Sequence, residues 1–304
     1  MSEDPDLRHV SFEGMPANGR GPHLRVQPGL AVAARLPAGR RAVDPAPSGP
    51  TVSFARWVLH RAGLDAASYR AESLRRRVPA CLRALKLRTE REAQQRIARH
   101  PELLPDAVSS LLIGVTGFFR DPDVFDALRR CVLPALARRR GQIRAWNAAC
   151  ASGCELYSFA ILLAEAGLLD RASLLGTDCR ADVIEQARAA SCSIAVARGT
   201  GDRFFARYFE AAIAGGWRPI EELRRRADWK VADVLKVVEP GPWDIIFWRN
   251  TAIYLNPGPA TLVYHRLVAE LSPGGFLVLG KAERPPETLD VVPVYRCLYR
   301  KGGA

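Results

Sequence analysis

The stretch QIRAWNAACASGCELYSFAILLAEA, residues 142–166, decides the fold. Gln142 to Ala149 reads as a strand and Glu155 to Ala166 as a helix, joined by a turn of small residues. The same grammar continues downstream. Ser173 to Asp178 reads as a second strand, Arg180 to Ala190 as a helix, and Trp243 to Trp248 as a nearly continuous apolar run suited to a strand buried on both faces. Pro257 to Leu271 is a helix, Gly275 to Gly280 a strand, and Val291 to Arg300 one last strand pairing with the sheet. Strands alternating with helices imply an α/β fold with a mostly parallel sheet covered on both faces. Residues 191–230 fit the rhythm poorly and read as an insertion.

Upstream the pattern is helical. Phe54, Trp57, Val58 and Ala62 keep one buried stripe, and Ser68 to Leu85 turns Leu74, Val78, Leu82 and Leu85 inward. Thr89 to His100 opens with a capping box of Thr89 and Glu92; Leu103 to Leu112 adds a further helix, and Pro122 to Arg139 links to the sheet. The division expected is a disordered extension over 1–50, where Gly and Pro break every period, a basic helical domain over 51–121, and an α/β domain over 122–304.

The 304 residues include 44 Lys and Arg against 32 Asp and Glu, a net charge of +12. Half of that excess lies in residues 51–110, where 12 bases face 6 acids. A basic face of this kind suits an acidic partner, or simply solvent. The segment lacks the interleaved aromatics that stack bases, which argues against nucleic acid. No apolar run reaches membrane-spanning length, and the acidic start at Met1 to Asp6 is unlike a signal peptide. Seven scattered cysteines form no disulfide framework, so a reduced, cytoplasmic protein is expected. The five histidines show no metal-ligand spacing, and no metal is expected.

In an open parallel sheet, ligands bind beyond the carboxyl ends of the strands. Four turns lie there: Ala149 to Glu155, Thr177-Asp178, Val231 to Val234, and Trp248 to Tyr254. Glu155 is placed to accept from a ligand's amine or hydroxyls, or to favour its helix start. Asp178, 25 residues after Gly153, has the position of an acid that binds ribose hydroxyls, and equally that of a helix cap. Asp233 follows a short strand, within reach of an adenine amine. Arg249 and Asn250 end a buried run abruptly, which points to function. A fifth segment, Gly114 to Pro122, carries Arg120 beside two phenylalanines, an arrangement that suits a fork onto a carboxylate or an internal salt bridge.

Together, Thr116-x-Phe118-Phe119-Arg120-Asp121-Pro122, Cys150-x-x-Gly153-x-Glu155-x-Tyr157-Ser158, Thr177-Asp178, Asp244-x-Ile246-Phe247-x-Arg249-Asn250 with Ile253-Tyr254, and Pro273-Gly274-Gly275 with Gly280-x-x-Glu283 resemble the CheR-type chemotaxis-receptor methyltransferases. The resemblance runs from about residue 52 to 300. It implies a class I, Rossmann-like S-adenosylmethionine-dependent methyltransferase fold with an antiparallel C-terminal strand, a small inserted antiparallel subdomain and a small helical domain in front. It also implies methyl transfer to glutamate side chains of a receptor, with S-adenosylhomocysteine as product. Position by position, it implies cofactor contacts from Thr116, Arg120, Glu155, Asp178, Asp233, Val234, Trp248, Arg249 and Asn250. Arg120 and Tyr254 would face the methyl group and the acceptor carboxylate. Arg75, Arg76, Arg77, Arg83 and Arg88 would dock an acidic receptor or signalling protein, and the enzyme is expected to be a monomer. The sequence departs from the family pattern at several places. Gly114 stands where Asn is usual, Ala149 where Gly is common, Cys154 for the first of two glutamates, Cys179-Arg180 for an apolar–acid pair, and Trp248 for Cys. The departures at Gly114, Ala149 and Cys154 motivate one alternative, a binding module for the cofactor without turnover, and the altered insertion over 191–230 motivates another, a methyltransferase acting on a small metabolite.

Overall fold

The computed structural model describes residues 50–112, 114, 116–212 and 215–303. The expected extension over 1–50 lies outside the described residues except for Pro50, which opens the first helix.

The chain first forms four helices, α1 (Pro50–Arg61), α2 (Ala71–Ala84), α3 (Glu90–Arg99) and α4 (Leu104–Leu111). Thr89 caps α3 by accepting from the Glu92 backbone N–H at 3.2 Å. The return half of the capping box is displaced by one residue, because the Glu92 carboxylate accepts from the Arg88 N–H rather than from that of Thr89. Next come α5 (Pro122–Ala127) and α6 (Leu133–Arg138), joined through a π-turn over Leu128–Val132 into the expected linking helix.

The α/β part follows as β1 (Ile143–Ala148), α7 (Cys154–Glu165), β2 (Ala172–Asp178) and α8 (Ala181–Ala189). Two short helices, α9 (Ile194–Arg198) and α10 (Asp202–Tyr208), lead into the hairpin β3 (Phe209–Ala211) and β4 (Trp217–Pro219). After α11 (Glu221–Arg224) come β5 (Ala227–Val231), β6 (Trp243–Trp248), α12 (Pro257–Ala269), β7 (Leu271–Leu279), β8 (Val291–Tyr295) and β9 (Leu298–Lys301).

The main sheet has the order β5-β2-β1-β6-β7-β9-β8, parallel from β5 to β7 and antiparallel at β9 and β8. Chain order runs outward from β1 through β2 to β5, then restarts at β6 on the other side of β1. The switch point between β1 and β6 therefore opens a crevice at their carboxyl ends. Two expectations need correcting here. The insertion ends before residue 227, since β5 pairs with β2 as an edge of the main sheet. The C-terminal tail forms two strands, because the chain turns at Arg296-Cys297 and β8 folds back on β9. The inserted hairpin β3–β4 is antiparallel, as expected.

Strand alternation divides the core. Trp146, Ala148, Ile246, Trp248, Leu277 and Leu279 face α12 and the N-terminal helices; Ile143, Ala145, Ile245, Phe247, Phe276 and Val278 face α5–α7 and the insertion. The apolar cluster of α1, α2 and α4 runs unbroken into the first of these faces. Backbone bonds add to that join, with the Arg70 N–H donating to the Tyr254 carbonyl at 2.9 Å and the Asn256 N–H to that of Ser68 at 2.8 Å. On the other face, Glu165 of α7 anchors the insertion by accepting from Arg203, Arg207 and the Tyr208 hydroxyl at 2.7–2.8 Å. Among the described residues, no helix is long and apolar enough to cross a membrane.

Candidate active site

At the crevice lies a cleft of about 1130 Å³, counting its open mouth. The turns after β1, β2, β5 and β6 line it, together with Gly114, Thr116 and Arg120, and so do Tyr69, bridged to Leu255, and Ser73, Leu74 and Arg77 of α2. Gly153 starts α7 at φ 82°, and a Cβ there would fall 2.4 Å from the Trp229 ring, so both conformation and space require glycine. Non-glycine residues with positive φ gather on the same turns: Phe119, Asp121, Ala149, Ala151 and Asn250, five of the seven among the described residues. Backbone strain concentrated in this way marks a site whose surroundings over-determine its shape.

Four carboxylates organise the electrostatics. Glu155 pairs with Arg249, whose side chain is 1% exposed and also reaches Asp121 Oδ2 at 2.8 Å and the Arg120 carbonyl at 3.2 Å. Arg249 thus stands behind Glu155 and ties it to the Arg120 segment. That segment is held from a second side by the Phe119 N–H, which donates to Ser158 Oγ of α7 at 2.9 Å.

Asp178 is 4% exposed and accepts four bonds. The Ala151 N–H (3.0 Å) and Arg180 Nη2 (3.2 Å) reach Oδ2, while the Arg180 N–H (3.1 Å) and Nε (2.9 Å) reach Oδ1. Asp233 is the opposite case. Its Oδ1 accepts from the Leu235 N–H at 3.0 Å, while its buried Oδ2 has no hydrogen-bond partner. Burial pushes its carboxyl above the usual range, an effect the Leu235 N–H only partly offsets. Glu283, 3% exposed, accepts the backbone N–H groups of Asn250, Thr251, Ala252 and Gly280 at 2.7–2.8 Å and so fixes the turn that carries Asn250 and Tyr254.

Most of the expected residues meet in one place. Thr116, Arg120, Glu155, Asp178, Asp233, Val234, Arg249, Asn250 and Tyr254 all line the cleft. Trp248 does not: its ring is fully buried edge-on against Tyr264, centroids 4.6 Å apart, because alternation along β6 sends it to the core face. Of the five arginines expected to dock a partner, Arg77 instead turns inward to line the cleft and donates to the Ser110 carbonyl at 3.2 Å. Arg75 and Arg76 are exposed beside Glu72 of the same helix, and Arg83 and Arg88 are exposed as well. Sequence reasoning assigned no role to Tyr69, Arg180 or Glu283. Glu283 was legible only as an acid three residues past the glycine that closes β7, and Arg180 only as a departure from the family pattern.

The orphaned oxygen of Asp233 and the acceptors of Glu155 form a donor-seeking cleft, which fits a ligand carrying amino and hydroxyl groups. Residues 114–297 match the family model described as CheR methyltransferase, SAM binding domain. A chemotaxis protein methyltransferase of Vibrio parahaemolyticus is 28% identical over 253 residues, covering 80% of this chain and 92% of the relative. Chemotaxis protein methyltransferase 1 of Vibrio cholerae is 31% identical over 206 residues, with 66% and 75% covered, and a chemotaxis protein methyltransferase of Listeria monocytogenes is 27% identical over 234 residues, with 76% and 88% covered. The topology, the cleft at the switch point and a match over more than half of the chain agree: this protein belongs to the CheR family of S-adenosylmethionine-dependent methyltransferases.

Proposed function

We propose that this cleft methylates a glutamate carboxylate on an acidic segment of a chemoreceptor or related signalling protein. The observation that carries the cofactor placement is the unpartnered, buried Oδ2 of Asp233, which an adenine amine would satisfy. When bound, S-adenosylmethionine supplies a methyl group on a sulfonium, which an ionised carboxylate displaces to give a methyl ester and S-adenosylhomocysteine. An acceptor already ionised needs no strong base, so the protein's contribution is placement and charge.

Glu155, braced by Arg249, offers its acceptors to the cofactor's amine or hydroxyls, and Val234 and Thr116 shape the walls beside it. Asn250 lines the same floor in a left-handed conformation that asparagine tolerates well. Arg120 is exposed at the cleft, where a guanidinium forks onto an incoming carboxylate; Tyr254 is placed to align it through its hydroxyl. The exposed arginines of the N-terminal helices, Arg83 and Arg88 foremost, supply positive charge for an acidic partner and steer its approach. The helices of the segment over 51–121 then act as the partner-reading part, while its end, with Thr116 and Arg120, joins residues 122–304 in the transferring part.

The test is transfer of a labelled methyl group to a receptor cytoplasmic fragment. Base-labile label on glutamate, lost in Arg120→Ala and reduced in Tyr254→Phe, is the expected result. Label on free carboxylic acids but not on any receptor fragment would overturn the protein-substrate reading.

A further inference from the structure

Asp178 has the position of the acid that receives the ribose hydroxyls, yet it has no acceptor capacity left. A carboxylate offers about four lone-pair sites. Four donors reach Asp178, two on each oxygen. Two of them are backbone N–H groups, of Ala151 and Arg180, held by the turns that carry them. The other two, Nε and Nη2, belong to the Arg180 guanidinium at the end of a flexible stem. A diol arriving at Asp178 must displace donors, and the guanidinium is the group able to leave.

That guanidinium is well seated. The Arg180 side chain is 6% exposed, it lines the same cleft, and its Nη1 donates to the Leu112 carbonyl at 3.1 Å. It also lies in the space a side chain at residue 114 would use. A Cβ on Gly114 would fall 2.5 Å from both Nη1 and Nη2 and 2.9 Å from Cζ. Two departures from the family pattern, Gly114 and Arg180, are thus one feature: the missing side chain at 114 is the berth of the guanidinium.

We propose that Arg180 is a latch on the cofactor site, an internal competitor for the ribose diol that holds Asp178 until the cofactor displaces it, with Gly114 providing its seat. This rests on the cofactor placement above. Filling the cleft breaks the side-chain ion pair with Asp178, so the enzyme saturates at a higher cofactor concentration than the same site without Arg180. Arg180 acts through Asp178 and is a specificity-determining residue, since its cost falls only on ligands that engage Asp178 through ribose hydroxyls.

The experiment is a calorimetric titration of the full chain with S-adenosylhomocysteine and with its 2′,3′-dideoxy analogue. Wild type, Arg180→Met and Gly114→Ala are compared, with Asp233→Ala as a check on the site itself. Arg180→Met removes the competing donors, and Gly114→Ala evicts the guanidinium from its seat by an independent route. Should Arg180→Met fail to fold, Gly114→Ala alone decides the matter. Tightening of about ten-fold for S-adenosylhomocysteine, with no tightening for the dideoxy analogue, is expected. Unchanged or weaker binding of S-adenosylhomocysteine overturns the latch and makes Arg180 a support that orients Asp178. Equal tightening for both ligands also overturns it, since the cost would then not involve the diol. Binding that ignores Asp233→Ala in every background rejects the cofactor placement, and the latch with it.

Discussion

Asp178 and Asp233 sit at the ends of neighbouring parallel strands and line one cleft, yet their surroundings are opposites. Asp178 is surrounded by four donors, while Asp233 has one and leaves an oxygen bare. Glu283, just outside the cleft, shows what a wholly structural carboxylate looks like here: four acceptor sites and four backbone N–H groups, all from turns that must be held. The three acids form a graded series, from a brace, through a carboxylate that must be released, to one kept open. The open one carries a cost in the folded protein, because a buried polar atom without a partner has given up water for nothing. That cost is recovered when a donor arrives.

The largest expected effect breaks the brace. Glu283→Ala leaves four N–H groups of the Gly280 and Asn250 turns without their acceptor, and a loss of about 3 kcal/mol or more is expected in thermal or urea unfolding. Glu283→Gln, which keeps the shape but not the charge or all the acceptors, should fall between that variant and wild type. A loss under about 1 kcal/mol would mean that water replaces the carboxylate and the turn holds itself.

Asp233 is the second lever, and here binding and stability should move apart. Its carboxyl is raised by burial, so the folded state holds the proton more tightly than the unfolded chain. The sign follows: its stabilising contribution is present at low pH and lost as pH rises through the raised folded value. Above that value the ionised group is a burden, and there Asp233→Asn is expected to melt higher than wild type. For the ligand the sign reverses. A donor amine favours the ionised form, so affinity for S-adenosylhomocysteine falls as pH drops through a region above the ordinary carboxylate range. Asp233→Asn should bind about ten-fold more weakly at neutral pH and lose that pH dependence. A variant that both melts lower and keeps full affinity would show that Asp233 is a structural acid like Glu283.

Much of this site was legible before any coordinates, for physical reasons that differ by residue. Strand ends are readable, because a buried parallel strand is an apolar run that stops, and the rule that ligands gather at carboxyl ends then selects Asp178, Asp233, Arg249 and Asn250. The resemblance alone puts Trp248 at the cofactor; the two-residue period of β6 sends its ring the other way. Arg77 reads as a docking arginine like its neighbours, but helical geometry turns it about 100° from Arg76, toward the cleft. A short strand before Asp233 is legible, but its extent as the β5 edge is not, because Ala227 to Lys230 mixes Asp228 and Lys230 with apolar residues and so reads as insertion, and the turn in the last hairpin carries no Gly or Pro. Partner choice was least readable of all. Nothing local distinguishes an aspartate that meets ligand from one that meets Arg180, because Leu112 and Gly114, which seat that guanidinium, lie more than sixty residues away in sequence.

The smallest expected effect concerns the turn that hands a donor to Asp178. Ala149 and Ala151 have φ of 61° and 50°, and the Ala151 N–H that Asp178 accepts is presented by that left-handed backbone. For alanine such a conformation costs about 1–2 kcal/mol, while glycine adopts it freely at an unfolded-state cost of about 0.5–1 kcal/mol. Ala149→Gly is therefore expected to stabilise the protein by about 0.5–1 kcal/mol in urea unfolding. It leaves every acceptor on the two aspartates in place, so affinity for S-adenosylhomocysteine should not change. If affinity falls while stability rises, the strain at Ala149 is what aims the Ala151 N–H at Asp178. The contrast between the two aspartates would then depend on the stiffness of the first turn as well as on Arg180.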